Sequence, residues 1–369
     1  MNIKLVQMAK RLFEATTLGS ISLSNHIVMA PMTRSRAIGN IPNQLMADYY
    51  AQRAGAGLLI TEGTSPSVNG TGYARIPGIY SRQQVEGWKL VTKAVHEKDG
   101  KIFVQLMHTG RISHPLNMSE GSEILAPSAV PAAGEMYTDA SGMQPFPEPR
   151  AMSVTDIKQA VQEFVTASKN AVEAGFDGVE LHSANGYLIE QFLAPNTNLR
   201  IDEYGGSNEN RSRFLIEVAK AVVDAIGKEK TGVRLSPYGV ASDIVPYTED
   251  QAAYMAEKLN DTGLVYIHLA DHSSMGAPKV KPSVVEKIRK AFKGSIILSG
   301  GYDAGRAELD IENGRAQLIA FGRPFIANPD LVIKLKTGAE LSQPDFSTFY
   351  TPGEKGYTDY AATAVESVA

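Results

Sequence analysis

The sequence predicts an α/β fold, a (β/α)8 TIM barrel in which eight parallel strands alternate with helices. Three observations predict it: eight short apolar runs, amphipathic stretches between them, and a length of 369 residues. Runs that are apolar throughout are typical of parallel strands buried on both faces. A doubly wound sheet is the alternative, but the strand count and the length favour the barrel. The strands are predicted at residues 27–30, 57–61, 102–106, 178–181, 232–235, 264–269, 295–298 and 317–321.

Amphipathic stretches separate these runs and predict the surrounding helices. Ser153 and Thr248 precede two of them, where a hydroxyl can accept the first free backbone N–H groups. Ahead of the first strand, residues 13–18 and 21–23 flank a turn and predict a hairpin that closes the barrel floor. The helices are predicted at residues 83–98, 156–174, 210–226, 249–260, 282–292 and 304–313.

One segment, residues 107–151 after the third strand, does not fit this alternation. It is rich in Pro, Gly, Ser and Met, with strand-like pieces only at 123–126 and 151–154. A connection this long is usually functional, and barrel enzymes place their sites at this end of the strands. We interpret the segment as a substrate-side lid within a single domain of residues 1–369. The alternative is a loosely packed surface insertion.

The composition excludes several classes of function. The chain has no cysteine, which rules out disulfides, a thiolate nucleophile and a cysteine-ligated iron–sulfur cluster. The formal net charge is −4, and no basic block of the kind that binds nucleic acid is present. Residues 1–11 lack the apolar run of a signal peptide, and no stretch approaches the roughly 18 apolar residues of a membrane helix. We therefore expect a cytoplasmic protein without a nucleic-acid or membrane partner.

Polar side chains follow the predicted strands at the same end of each. The carboxyl ends of parallel barrel strands form one rim, so these side chains should converge there, where barrel enzymes have their active sites. In strand order they are Thr33, Arg34, Glu62, Gln105, His182, Asn185, Tyr187, Arg234 and His268.

The last two strands are followed by glycines. Gly300 and Gly301 follow the seventh strand, and Gly322 and Arg323 follow the eighth. Glycine lets backbone N–H groups approach a phosphate, and an arginine can clamp the phosphate with two hydrogen bonds. Each pair alone is as consistent with a tight turn, but the loops after strands 7 and 8 are the usual phosphate site of barrels. The two pairs together predict a phosphate-bearing ligand.

His182, Asn185 and Tyr187 lie close together after the fourth strand. A spacing of three puts His182 and Asn185 on one face of a helix, where two donors can hold a carbonyl or phenolate oxygen. A capping network or a metal site is the alternative, but no further metal ligand lies in this segment. Tyr187 stays protonated at neutral pH and can act as a general acid, or it can be a packed aromatic.

Several motifs resemble those of the Old Yellow Enzyme family, and they occur in family order from about residue 12 to residue 360. The likeness extends to the bacterial N-ethylmaleimide and pentaerythritol tetranitrate reductases of that family. Thr33, where another branch has cysteine, indicates the threonine-type branch. Met107, where yeast members have tryptophan, should reshape the substrate pocket. The motifs are residues 30–34 (APMTR), 182–188 (HSANGYL), 202–207 (DEYGGS), 209–211 (ENR), 232–236 (GVRLS) and 321–325 (FGRPF).

This resemblance implies FMN, bound without a covalent link across the barrel mouth. Gln105 and Arg234 would face the pyrimidine edge of the flavin, where a cation stabilises the anionic reduced form. The implied cofactor-binding residues are Pro31, Met32, Thr33, Gly63, Gln105 and Arg234 around the ring, with Gly301, Gly322 and Arg323 at the phosphate.

The resemblance also implies an ene-reductase that oxidises NADPH, or NADH, and reduces activated C=C bonds by ping-pong hydride transfer from flavin N5. His182 and Asn185 would bind the substrate carbonyl oxygen, and Tyr187 would donate the proton. Tyr73 and Tyr350 would line the substrate side, and no metal is implied. Enones, maleimides, nitro compounds and nitrate esters stay open as substrates, and both a monomer and a homodimer stay open as assemblies.

Three rival functions make different demands on the site. A phosphosugar aldolase or isomerase needs a Schiff-base lysine or a carboxylate base at a strand end, and Glu62 is the only obvious candidate. A flavoprotein without turnover needs none of His182, Asn185 and Tyr187. A hydroxy-acid oxidase uses a base, whereas Tyr187 offers a protonated acid.

Overall fold

Eight parallel strands close into a barrel, each paired with the next strand along the chain and the last paired with the first. The computed structural model describes residues 10–362, so most of the 1–11 stretch considered for a signal peptide lies outside the described residues. The predicted barrel and its eight strands are confirmed. The strands are β1 (Ile27–Met29), β2 (Leu58–Thr64), β3 (Ile102–Leu106), β4 (Gly178–Ser183), β5 (Thr231–Leu235), β6 (Tyr266–Ala270), β7 (Ser295–Ser299) and β8 (Leu318–Phe321).

Successive side chains of the strands pack alternately inside the barrel and against the surrounding helices. Val28, Leu58 and Phe103 belong to the interior cluster, whereas Leu59 and Val104 belong to the cluster between strands and helices. Because both faces are buried, the strands contain almost no exposed position. This two-sided burial explains why the runs are apolar throughout the sequence.

A short hairpin closes the floor of the barrel, as predicted. Its strands, Thr16–Leu18 and Ile21–Leu23, pair antiparallel. Leu18 and Leu23 are buried in the same cluster as the interior side chains of the barrel strands. The hairpin therefore covers apolar surface that the barrel would otherwise expose to water at this end.

The six predicted helices are confirmed to within two residues at either end. Ser153 and Thr248 cap two of them, accepting hydrogen bonds from the N–H groups of Asp156 and Gln251. Four further helices, α1, α4, α9 and α10 below, were not predicted. The helices described are α1 (Gln44–Gln52), α2 (Arg82–His96), α3 (Val154–Glu173), α4 (Leu188–Leu193), α5 (Asn208–Ile226), α6 (Glu249–Thr262), α7 (Pro282–Ala291), α8 (Ala304–Glu312), α9 (Pro324–Ala327) and α10 (Leu331–Thr337).

The segment of residues 107–151 contains more structure than its composition indicated. Leu125–Ala126 pairs in parallel with Arg150–Ala151, close to the two predicted strand-like pieces. An antiparallel hairpin of Glu135–Thr138 and Gly142–Pro145 lies between them and was not predicted.

Within residues 10–362, no helix combines the length and apolar character that crossing a bilayer requires.

Candidate active site

Two adjoining cavities lie at the carboxyl ends of the barrel strands. The inner cavity has a volume of about 690 Å³ and is lined mainly by the loops after β1, β6, β7 and β8. The outer cavity, of about 940 Å³, lies between the 107–151 segment and the C-terminal segment. Thr33, Phe346 and Tyr350 line both, so the two cavities adjoin. Their sizes are those of small-molecule sites.

One end of the inner cavity is formed by the loops after β7 and β8. Gly300 has φ +123°, and a Cβ there would lie 2.5 Å from the carbonyl oxygen of Asp271, so this turn requires glycine. The exposed Arg323 guanidinium lies 6.0 Å from the centre of the Phe346 ring. Glycine turns beneath a guanidinium suit a phosphate group. The residues predicted to bind phosphate all line this cavity: Gly301, Gly322 and Arg323.

Behind the lining of the inner cavity, polar side chains on neighbouring strands form a buried layer inside the barrel. The strand register places His182 of β4 beside Arg234 of β5, and Arg234 beside His268 of β6. Glu180 is the common acceptor of this layer. Gln105 Nε2 donates to it at 2.7 Å, and His268 Nδ1 lies 2.9 Å from its other oxygen.

Within this layer, the Arg234 guanidinium offers a donor to an electron-rich ligand edge. Burial raises the pKa of Glu180, but His268, Arg234 and the hydrogen bond from Gln105 outweigh burial and lower that pKa below its usual range. Arg234 lines the inner cavity, and its Nε is buried without a hydrogen-bond partner among residues 10–362. A buried donor of this kind is normally satisfied by a ligand or water.

A tight loop after β4 brings the three predicted catalytic residues together. Asn185 at φ +61° and Gly186 at φ +80° turn the chain, and α4 begins directly after Tyr187. The Tyr187 ring lies 4.9 Å from the His182 ring in an edge-on arrangement. The Tyr187 hydroxyl donates to the Tyr73 hydroxyl at 3.2 Å. Asn185 lines the inner cavity and Tyr187 the outer one, so the loop lies where the cavities meet.

Burial sets the protonation of these groups. Burial, assisted by the charge of Arg234, lowers the pKa of His182 well below its usual range, so the imidazole is neutral near pH 7. Burial also raises the pKa values of Tyr187 and Tyr73, so both phenols stay protonated. His182 Nδ1 and Asn185 Oδ1 are buried without a partner among the described residues. The unpartnered imidazole nitrogen can donate a hydrogen bond to a ligand oxygen, whereas Asn185 Oδ1 can only accept one, so the donor of this amide would be its Nδ2.

The inner cavity can accommodate the FMN that the family resemblance implies. Pro31, Met32 and Thr33 line the same cavity as the glycine turns, so one continuous space offers a lining for a ring system and a site for a phosphate. The unpartnered Nε of Arg234 supplies a buried donor along this space. The chemistry of this donor set therefore fits the cofactor.

Two predicted cofactor residues, Gly63 and Gln105, are not part of the cavity lining. Gly63 follows an irregularity in the pairing of β2 with β3 and packs on Met107, whose Sδ would lie 2.4 Å from a Cβ at this glycine. The Gln105 amide is turned to Glu180. Met107 is buried and lines neither cavity.

Other lining residues were not predicted from the sequence. Asp271, His272 and Ser274, from the loop after β6, line the inner cavity. Burial, with the charge of Arg234, lowers the pKa of His272 to about 4. Phe346, near the C-terminus, covers both cavities. The position of the β6 loop on the rim could have identified the first three, but no local motif marks Phe346.

The chain matches known proteins over nearly its whole length. Residues 11–342 match a family described as the NADH:flavin oxidoreductase / NADH oxidase family. A Leishmania infantum protein named "Probable flavin mononucleotide-dependent alkene reductase" is 41% identical over 350 residues, which are 93% of this chain and 94% of that protein. Morphinone reductase in complex with tetrahydroNAD is 43% identical with a TM-score of 0.91, covering 96% of this chain and 98% of that one. The old yellow enzyme homologue from Zymomonas mobilis is 40% identical with a TM-score of 0.90, covering 95% and 99%.

Proposed function

Because the chain belongs to the NADH:flavin oxidoreductase / NADH oxidase family and is an FMN-dependent ene-reductase of the Old Yellow Enzyme type, we propose that its two cavities form one active site. The inner cavity would hold FMN, and the outer cavity would admit the nicotinamide donor and then an activated alkene. One observation carries this proposal. The loop that carries Asn185 and Tyr187 lies where the two cavities meet, and the ring of His182, which itself lines neither cavity, lies 4.9 Å from the ring of Tyr187.

In this proposal the chain's own residues bind the cofactor and polarise the substrate. Bound FMN would supply the hydride-transfer chemistry. Gly301, Gly322 and Arg323 would hold its phosphate, and Pro31, Met32, Thr33 and Arg234 would line its ring, because all seven surround the inner cavity. Gly63 and Gln105 would lie behind this lining and support the residues that contact the cofactor.

His182 and Asn185 would hold the carbonyl oxygen of the alkene. Two donors on one oxygen withdraw electron density from the conjugated double bond and stabilise the enolate charge that develops there. A neutral imidazole suits this role because it donates a hydrogen bond without giving up a proton. The lowered pKa of His182 supports this assignment.

Tyr187 would supply the proton to the α-carbon. Its phenol is kept protonated by burial and is oriented by the Tyr73 hydroxyl. Both tyrosines line the outer cavity, and so does Tyr350, which supports placing all three beside the substrate. A positioned general acid needs no more than this: a proton, a fixed direction and access to the substrate.

The 107–151 segment would act as the lid of this site. Met136 of its hairpin packs in one small apolar cluster with Tyr73 and Tyr187. Arg75 forms an ion pair with Asp139 in the same hairpin. A hairpin that shares an apolar cluster with the proton donor would exclude water from the reacting atoms.

The position of Glu62 argues against the phosphosugar enzymes. Glu62 is fully buried and lines neither cavity. It accepts the N–H of Arg34 at 3.2 Å, and the Tyr50 hydroxyl donates to its other oxygen at 3.4 Å. The carboxylate therefore braces the loop after β1 and has no access to a substrate. A hydroxy-acid oxidase would also need an effective base, and the lowered pKa of His182 makes its neutral imidazole a weak one.

Several finer features are part of the proposal. NADPH, with NADH as the alternative, would be the hydride donor, and the enzyme would be cytoplasmic, a reducing compartment that a chain without cysteine fits. The chain would act as a monomer or a homodimer. Enones, maleimides, nitro compounds and nitrate esters are the candidate substrates.

An anaerobic visible spectrum tests the proposed function directly. The purified protein is followed through addition of NADPH and then of 2-cyclohexenone. We expect yellow flavin bands that bleach with NADPH and return with the enone. Bleaching without return would exclude 2-cyclohexenone and redirect the search for the substrate, and a colourless protein that cannot be reconstituted with FMN would contradict the proposal.

Loss of the Arg323 guanidinium is expected to weaken FMN binding. Removing a charge-assisted contact to phosphate costs about 1.5–3 kcal/mol, so Arg323→Ala should raise the Kd for FMN about tenfold or more. Arg323→Lys keeps the charge without the bidentate contact, so its Kd for FMN should lie between those of the wild type and Arg323→Ala. Fluorescence of FMN titrated with apoprotein measures the Kd. Arg315→Ala, which removes the partner of Asp310, is the control for net charge and should leave the Kd unchanged.

A further inference from the structure

Two buried side chains hold the loop that carries Asn185 and Tyr187. Glu190 and Ser236 are each 1% exposed. The Gly186 N–H donates to one oxygen of Glu190 at 2.6 Å, and the Ser236 hydroxyl donates to the other at 2.5 Å. The Ser236 oxygen in turn accepts the Asn185 N–H at 3.1 Å. One carboxylate thus captures two consecutive backbone N–H groups, one directly and one through a hydroxyl.

These two N–H groups belong to the two loop residues in the left-handed region. Asn185 has φ +61° and Gly186 has φ +80°. A residue other than glycine in this region costs on the order of 1 kcal/mol and persists only where its surroundings fix it. Relaxation at either residue would redirect the Asn185 side chain and the chain entering Tyr187. The Glu190–Ser236 pair therefore stabilises the conformation that brings the proposed substrate-binding groups together.

Glu190 occupies an unusual position for this task. Tyr187 is the N-cap of α4 and makes no side-chain capping bond, so Glu190 lies three residues into the helix. A glutamate there commonly reaches back to the N–H of the N-cap itself, but Glu190 reaches one residue further, to Gly186. Burial raises the pKa of Glu190 to about 7, against the opposing hydrogen bonds from Ser236 and Gly186. Because this folded pKa exceeds the unfolded one, the stability that the protonated carboxyl contributes is lost as the pH rises from the usual glutamate pKa to about 7.

We propose that Glu190, acting through Ser236, is the positioning residue for the substrate-oxygen site at Asn185. Neither side chain lines a cavity, and the polar groups of both are engaged by each other and by the loop backbone, so both act through the backbone and not by touching the substrate. The inference rests on the proposed function, because it requires Asn185 to bind the substrate oxygen. It adds two supporting residues behind His182, Asn185 and Tyr187.

Phenol binding to the holoenzyme tests this role. The variants are Ser236→Ala, Glu190→Gln and the double variant, and the Kd for 4-chlorophenol is read from the visible flavin band. Ser236→Ala removes the acceptor of the Asn185 N–H. Glu190→Gln keeps an acceptor for Gly186 but can turn an NH2 group toward Ser236, which then loses its own acceptor. We expect each single variant to weaken phenol binding about tenfold. The double variant should bind the phenol with a Kd close to that of the weaker-binding single variant, because both changes break the same chain of hydrogen bonds.

Glu308→Gln is the matched control. Glu308 is also buried and accepts two backbone N–H groups, those of Arg11 and Leu12, both at 2.9 Å, but lines neither cavity. Its variant should keep the wild-type Kd for the phenol, whatever thermal stability it loses. Three outcomes would overturn the positioning role alone. They are wild-type affinity in both Ser236→Ala and Glu190→Gln, additive losses in the double variant, and an equal loss in Glu308→Gln. Failure of the wild-type holoenzyme to bind the phenol would overturn the substrate-oxygen site itself, and the positioning role with it.

Discussion

Tyr187→Phe is expected to reduce 2-cyclohexenone at least about a hundredfold more slowly than the wild-type enzyme, because positioned general acids contribute about 10²–10⁴-fold. Flavin reduction by NADPH requires no proton from this residue and should stay within a few fold. The phenylalanine ring can keep the edge-on packing against His182, so the change removes the proton and little else. Anaerobic stopped-flow absorbance measures the two half-reactions separately.

Tyr73→Phe is the matched control for this substitution. It removes the hydroxyl that accepts the hydrogen bond of Tyr187 but leaves the donor in place, so enone reduction should slow by less than about tenfold. Because burial raises the pKa of Tyr187, loss of its own proton should not contribute to the pH dependence of the wild-type enone half-reaction between about pH 6 and about pH 9. Equal losses in both half-reactions of Tyr187→Phe would contradict its role as proton donor.

The barrel was predictable because parallel strands buried on both faces leave a continuous apolar signature. Helix α1 was not, because the apolar residues of its Gln44–Gln52 span show only weak helical periodicity. Its start is marked by Asn43, which accepts the N–H of Met46. A single asparagine after a proline is too common in loops to predict a helix.

The strand ends located the site, but they did not determine which side chains enter it. Glu62 and Gly63 both lie at the end of β2, where the pairing with β3 shifts between Ile60 and Gly63. Such an irregularity changes which residues face inward, and the sequence does not show it. Glu62 is consequently turned into a buried contact with Arg34, and Gly63 packs on Met107.

The supporting residues differ in how far local sequence could reveal them. Glu180 precedes His182 by two residues on β4, so the alternation of strand side chains could have placed it inside the barrel. Glu190 and Ser236 are 46 residues apart, and their pairing depends on how α4 packs beside β5. No local pattern predicts a contact of that separation.

Replacement of His182 and Asn185 together by alanine is expected to weaken binding of 4-chlorophenol at least about a hundredfold. Each hydrogen bond to a charged ligand oxygen is worth about 1.5–3 kcal/mol, and the pair shares one oxygen. Titration of the visible flavin band gives the Kd, and the enone half-reaction should slow in parallel. Unchanged phenol affinity would contradict the proposal that His182 and Asn185 bind the substrate oxygen. His96→Ala, which removes an imidazole that pairs with Asp177, should leave the Kd unchanged.

The backbone at Asn185 determines how this result must be read. Alanine is disfavoured at φ +61°, so Asn185→Ala can act by distorting the loop as well as by removing a donor. Asn185→Gly removes the same side chain and tolerates that φ without strain. If the two side chains bind the oxygen, His182→Ala with Asn185→Gly should lose as much phenol affinity as the double alanine variant. If affinity returns with glycine, the loop conformation and not the amide is what the ligand requires, and the hydrogen-bonding role belongs to His182 alone.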